Sequence, residues 1–261
     1  MPSIQVQDIS LYYEEAGEGP PLLFINGLGM SAGEWRNQVD HFSGKYRTVI
    51  FDPRGHGKSD KPEGPYSIPL FASDTAELIR SLGLAPVNIV GLSMGGMIAF
   101  QLAVTEPELL RSMVIVNSGP EFILRKARHK IEMAARKCII RCFGMHVMAK
   151  ILTTRLFPAP EQAQLRIRTA QCWAKNDKRA YLDALRGIEG WSVSKDLHKI
   201  SCPTLIVSAD RDYTPVAYKE HYTGQIPGAR LTVIPDSRHA TPLDQPRRFN
   251  ETVDAFLSQL A

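Results

Sequence analysis

The chain has 261 residues, 44% of them hydrophobic and 22% charged, with a net charge of +4. That length suits one large α/β domain with a substantial core. The mild charge gives no reason to expect a nucleic-acid partner, and no apolar run approaches the roughly 18 residues a membrane span needs. The start carries no positively charged stretch followed by an apolar one, so no secretory signal is expected. The four cysteines, Cys138, Cys142, Cys172 and Cys202, form no Cys-x-x-Cys pair, which points to reduced thiols in a cytoplasmic protein. Cys138, Cys142 and His146 fall at i, i+4 and i+8 on an expected helix, but with no fourth ligand evident no metal site is assigned.

Residues 4–15 alternate loosely and read as a hairpin, which Gly17-Glu18-Gly19-Pro20-Pro21 ends. Leu22-Leu23-Phe24-Ile25 is wholly apolar and suits a central parallel strand. The loop that follows, Asn26-Gly27-Leu28-Gly29-Met30, is flexible enough to bring a backbone N–H close to a ligand. A helix is expected over Trp35–Phe42, then a strand at Thr48–Phe51 leading into Asp52-Pro53-Arg54-Gly55-His56-Gly57-Lys58-Ser59. Helical spacing covers Pro69–Leu82. Val87–Val90 is then a buried strand, and within a few residues the chain reads as a helix again.

Between that strand and helix stands Gly91-Leu92-Ser93-Met94-Gly95. So abrupt a turn forces its central residue into a strained backbone conformation and leaves no room for side chains at the flanking positions. The strain lifts the Ser93 hydroxyl to the tip of the turn, and the Met94 amide points where an oxyanion would form. Ser93 is therefore the candidate nucleophile.

Met113–Val116 is a further strand, after which the alternation of strands and helices stops at Pro120. Helices are expected over Phe122–Met148, Glu161–Ala174 and Lys178–Gly187, with no strand from 121 to about 195. The alternation resumes with a strand at Pro203–Ser208, a helix from Pro215, a strand at Leu231–Ile234 and a final helix over Arg247–Leu260. The division is an α/β core of 1–120 and 196–261, its mostly parallel sheet covered by helices on both faces, interrupted by a helical insertion of 121–195. From 120 to 200 there are 17 Lys/Arg against 7 Asp/Glu. This is either a solvated face or a surface for an anionic partner.

A serine hydroxyl needs a base, and the base an orienter. In an open parallel sheet reacting groups gather at the carboxyl ends of strands. His239 follows the last strand directly and is the expected base, while His56 is expected to brace its glycine-rich turn. Asp210 and Asp212 both follow the Pro203–Ser208 strand, and spacing does not separate them. Asn117, at another strand end, lacks the charge that stabilises an imidazolium.

The order Ser…Asp…His, with Gly-Leu-Ser-Met-Gly-Gly on a strand–turn–helix, resembles the α/β-hydrolase fold superfamily. Asp52–Ser59 resembles that family's Asp-x-Arg-Gly-x-Gly-x-Ser loop, and Asp212–Pro215 its acid loop, which favours Asp212 over Asp210. The resemblance implies that 121–195 is a lid and that the Leu28 amide is the second oxyanion donor. Members usually carry His-Gly where this chain has Asn26-Gly27, although enol-lactonases carry Asn there. Many have Gly-His where this chain has Arg238-His239. Serine at the elbow argues against the dehalogenases and epoxide hydrolases of the superfamily.

The resemblance thus implies a cofactor-free serine hydrolase of carboxylic esters, with Ser93, Asp212 and His239 catalytic and Leu28 and Met94 forming the oxyanion hole. Trp35, Phe122, Trp173 and Trp191 are candidates to line the pocket. Other readings are an enol-lactonase-like lactonase, an esterase or thioesterase acting on acyl chains of an acidic carrier protein, and a receptor that keeps the triad without turnover.

Overall fold

The structure is a computed structural model and describes residues 2–260. Eight strands form one sheet, made of β1 (Ser3–Val6), β2 (Ile9–Ala16), β3 (Pro21–Ile25), β4 (Arg47–Phe51), β5 (Val87–Leu92), β6 (Leu110–Val116), β7 (Thr204–Ala209) and β8 (Arg230–Ile234). Their spatial order is β1-β2-β4-β3-β5-β6-β7-β8. The first hairpin, closed by Gln7-Asp8, is antiparallel, as is its pairing with β4, and every other pairing is parallel. The run from β4 to β8 is the parallel sheet that the strand–helix alternation predicts.

The pleat divides the core. In β3, Leu22 and Phe24 face one side and Leu23 and Ile25 the other, and each pair joins a different apolar cluster. On the Leu23 side pack α2 (Ile68–Ser81), α3 (Met94–Thr105) and Tyr222 of α7 (Val216–Thr223). On the Leu22 side pack Trp35, Phe42 of α1 (Arg36–Phe42) and Phe249 and Val253 of α9 (Pro246–Leu257), while the short helix α8 (Thr241–Asp244) precedes α9. Both faces are thereby covered, which is why β5 and β7 are buried along their whole length.

Between β6 and β7 lie α4 (Ala127–Leu156), α5 (Ala163–Trp173) and α6 (Lys178–Ile188). The first of these departs from the Phe122–Met148 expected. Residues 121–122 pair instead with 191–192: the Phe122 amide donates to the Trp191 carbonyl at 2.8 Å, and the Gly190 amide to the Phe122 carbonyl at 2.9 Å. The helix then runs eight residues past Met148 and is broken at Gly144, whose φ of 76° no other residue adopts cheaply. That break separates Cys138 and Cys142 from His146, so the three do not share one helix. Among the described residues no cluster of His, Cys, Asp or Glu is placed to hold a metal ion, and no helix is long and apolar enough to cross a membrane. Met133, Ile140, Met145, Met148, Tyr181 and Leu185 join α4 to α6, and Leu28 and Phe122 pack against them.

Register decides where the loops emerge. Ile25 pairs with Gly91, Leu92 with Val116, Val116 with Val207, and Ala209 with Ile234. The chain after β3, β5, β6, β7 and β8 therefore leaves the sheet at one edge. At the β5 exit the turn has no spare space: a Cβ on Gly91 would meet the Gly95 carbonyl, and one on Gly95 the Ile25 carbonyl of the neighbouring strand. Because both obstacles are main chain, Gly95→Ala is expected to lower stability by about 3 kcal/mol. Denaturant unfolding beside Gly33→Ala, where an added Cβ meets nothing within 4 Å, measures the difference.

Candidate active site

Ser93 sits at the tip of the β5–α3 turn with φ 54° and ψ −114°, a strained conformation for a residue with a side chain. Its amide donates to the Val116 carbonyl at 2.9 Å. Its carbonyl accepts from the Gly96 and Met97 amides and from Ser118 Oγ at 2.7 Å. With the backbone held on both sides, the hydroxyl is left to the cavity; among the described residues Ser93 Oγ has no hydrogen-bond partner.

Asp212 and His239 are in direct contact, Nδ1 to Oδ1 at 2.6 Å. Asp212 Oδ2 accepts from Lys219 Nζ at 2.6 Å and from Thr214 Oγ1 at 2.8 Å. The Asp212 side chain is 1% exposed and that of Lys219 0%, so the aspartate lies buried between the lysine and the imidazole. Burial pushes its carboxyl up, but the charges and hydrogen bonds of His239 and Lys219 outweigh that and hold it well below the usual carboxylate range. Tyr213 stacks on the His239 ring at 4.4 Å between centroids, which fixes the face of the imidazole. Asp210 is occupied otherwise: it accepts the Asp236 and Ser237 amides at 3.0 Å each and so shapes the loop that carries His239.

Asn117, considered above only as a substitute acid, ties three strand ends together. Its Oδ1 accepts the Ala209 amide at 2.7 Å, and its Nδ2 donates to the His239 carbonyl at 2.9 Å and to Thr241 Oγ1 at 2.7 Å. Lys219 escaped notice as well. Its signal was there, since Lys219, Tyr222 and Thr223 share one helical face that the structure buries.

The loop after β3 is held from below. Asp52 accepts the Ala32 amide at 2.6 Å and the Lys58 amide at 2.8 Å, linking that loop to the one after β4. Asn26 donates to the Phe51 carbonyl at 3.0 Å and accepts from the Trp35 indole at 2.7 Å. His56 is buried, its Nδ1 2.9 Å from the Arg54 carbonyl within its own turn, and burial holds its imidazole below the ordinary histidine value.

These loops enclose a cavity of about 200 Å³ whose lining includes Ser93, His239, Leu28, Met94, Phe122 and Trp173. Among the described residues neither the Leu28 nor the Met94 amide has an internal acceptor. A larger groove of about 570 Å³, along β8 and α9, contains none of the candidate residues. Two tryptophans correct the expectation. Trp35 is fully buried with its indole on Asn26, and Trp191 packs in the core with its indole on Gln101 Oε1 at 2.8 Å; neither reaches the cavity. The basic stretch is also less uniform than its composition: Arg125 pairs with Glu121, Lys137 pairs with Glu189, and Arg136 lines the cavity.

The α/β-hydrolase fold family model matches residues 20–143. The chain has the α/β-hydrolase fold. It is 27% identical over 263 residues to 3-oxoadipate enol-lactonase 2 of Acinetobacter baylyi, covering 98% of this chain and 96% of the relative. A putative carbamate hydrolase of Azorhizobium caulinodans is 29% identical over 268 residues, 100% of this chain and 99% of that one. The crystal structure of the enol-lactonase from Burkholderia xenovorans superposes with a TM-score of 0.91 at 26% identity, covering 98% of this chain and 100% of that one. The α/β-hydrolase fold thus extends over almost the whole chain.

Two predictions follow from this geometry. Lys219→Met leaves a buried carboxylate with one cationic neighbour fewer and is expected to cost about 3 kcal/mol of stability, measured by denaturant unfolding. The second concerns Glu34, which accepts from the Ser31 amide at 2.9 Å and the Trp173 indole at 2.9 and 3.1 Å. Burial pushes its carboxyl up to about 7 despite those donors. A carboxyl raised on folding contributes stability that is complete below its unfolded value and is lost as pH rises through the folded one. Glu34→Gln should therefore melt a few degrees above the parent near pH 8.5, the gap closing toward pH 5, as read by thermal melts across that range.

Proposed function

We propose that this α/β-hydrolase cleaves carboxylic ester bonds of small molecules through a covalent acyl intermediate on Ser93. What carries the reading is one cavity faced by both the Ser93 hydroxyl, raised on a strained turn, and an imidazole whose far nitrogen is bound by a buried carboxylate. In this reading His239 Nε2 takes the Ser93 proton as Oγ attacks the ester carbonyl. The Leu28 and Met94 amides receive the developing oxyanion, each such donor typically worth about 3 kcal/mol of barrier. Asp212 keeps the His239 proton on Nδ1 and offsets the imidazolium charge. The imidazolium then protonates the leaving alkoxide, and water, deprotonated by His239, attacks the acyl carbonyl and frees Ser93. These steps are complete with protein groups alone.

Residues 121–195 act in this reading as a lid over the core formed by 1–120 and 196–261. Leu152, Leu156, Leu185 and Ile188 from the insertion line the same cavity as Ser93. The cavity, about 200 Å³ and lined mainly by apolar side chains, suits a small ester. A cyclic ester fits the same chemistry, its leaving alkoxide staying tethered to the acyl group. The enol-lactonase names among the relatives favour that second reading.

A panel of small esters, lactones and thioesters tests the proposal with the parent protein and with Ser93→Ala. The parent is expected to turn over at least one class many times per active site. Ser93→Ala should lose at least about 10⁴-fold in kcat while keeping the parent's melting temperature within a few degrees. A protein that releases one equivalent of product and stops would instead be a receptor. Asp212→Asn should cost about 10⁴-fold and Asp210→Asn no more than about tenfold, since Asp210 shapes the loop and does not touch the imidazole. The reverse ranking would reassign the acid.

A further inference from the structure

The cavity of the proposed hydrolase carries one charge that the protein does not balance. Besides His239, three acidic or basic residues line it: Glu121, Arg136 and Asp212. Glu121 is ion-paired with Arg125 and also accepts from Ser194 Oγ at 3.3 Å. Asp212 is paired with Lys219 and His239. Arg136, on α4, has no carboxylate within ion-pair distance among the described residues. Its one hydrogen bond is donated to the Tyr181 hydroxyl, and its guanidinium carbon stands 5.5 Å from the centre of that ring. Its Nε–H is buried with no acceptor.

An unbalanced guanidinium facing a small, largely apolar cavity is costly, and a buried N–H donor without a partner adds to the cost. Lys137, the next residue, pairs with Glu189, whereas the Arg136 guanidinium is among the groups that line the cavity. A guanidinium carries a fork of donors that matches a carboxylate in two-point geometry. The geometry points to Arg136 as the residue that selects an ester or lactone bearing a second, free carboxylate. The carboxylate would sit on the guanidinium while the ester carbonyl sits over Ser93. This rests on the hydrolase reading for its chemistry, but the binding half does not require turnover.

Monomethyl adipate and dimethyl adipate present the same methyl ester on the same chain and differ in the free carboxylate. With the parent protein, kcat/KM per ester bond is expected to be at least tenfold higher for the monoester, the difference residing in KM. Arg136→Gln should lower the monoester value by about 10- to 100-fold and change the diester value by no more than about twofold. Arg136→Lys keeps the charge but not the fork, and should recover part of the preference. Tyr181→Phe removes the hydroxyl that the guanidinium touches, keeps the charge, and should preserve the preference. Calorimetric binding of both compounds to Ser93→Ala, with and without Arg136→Gln, reads the same selectivity without hydrolysis. Tighter binding of the monoester that disappears with Arg136→Gln supports the inference even if no ester is cleaved, in which case the hydrolase reading alone fails. Equal binding of the two compounds, or a parallel fall for both in Arg136→Gln, overturns it.

Discussion

Everything at the candidate site depends on one buried carboxylate. Asp212 is taken out of water by the fold, which by itself would favour its neutral form, and it stays charged because Lys219, as a cation, and His239, as a hydrogen-bond donor, reach it from different elements. Lys219 approaches from α7 and His239 from the loop after β8. The pair with Lys219 holds the side chain in one orientation before any chemistry begins. The remaining oxygen is then aimed at Nδ1 of His239, which leaves Nε2 turned toward the cavity.

The sheet register gives that arrangement its reach. Four of the five loops around the cavity are tied to one another by side chains at strand ends. Asn117 joins the end of β7 to the His239 loop, Ser118 binds the carbonyl of Ser93, and Asp210 fixes the main chain just before His239. None of these contacts involves the reacting atoms. Each removes freedom from a group that must be placed to within a fraction of an ångström for the proposed acyl transfer. Strain at Ser93 fits the same logic, because a residue with φ 54° persists only where hydrogen bonds on both sides outweigh the cost.

How much of this was legible beforehand follows the physics of each signal. Apolar runs and helical periods place the strands and helices because burial is written directly into residue type. The glycines around Ser93 announce a turn with no room for side chains. By contrast, Asp210 and Asp212 are two residues apart in one loop, and no period says which points inward; the main-chain hydrogen bonds taken by Asp210 are a tertiary fact. Trp35 and Trp191 are candidates for the pocket in the sequence because aromatic side chains suit both cores and ligands. What decides is a partner for the indole N–H, here Asn26 and Gln101, far outside any local window. Arg136 was hidden inside a basic run where composition treats every cation alike, yet its surroundings differ from those of Arg125 and Lys137.

The loop after β3 carries the last step of the synthesis. Asn26 stands where the family resemblance leads one to expect a histidine, and its side chain bridges the Phe51 carbonyl and the Trp35 indole. An amide supplies both donor and acceptor at fixed positions and no titratable charge, so the Asn26 contacts are insensitive to pH. Asp52 completes the brace by accepting the Ala32 and Lys58 amides, which ties the loop bearing Leu28 to the glycine-rich turn bearing His56. The loop bearing Leu28 is therefore held by the main chain of two loops and not by the Leu28 side chain. That division of labour leaves the Leu28 side chain able to pack against α4 and α6, so the residue proposed to offer an oxyanion donor also anchors the helical insertion.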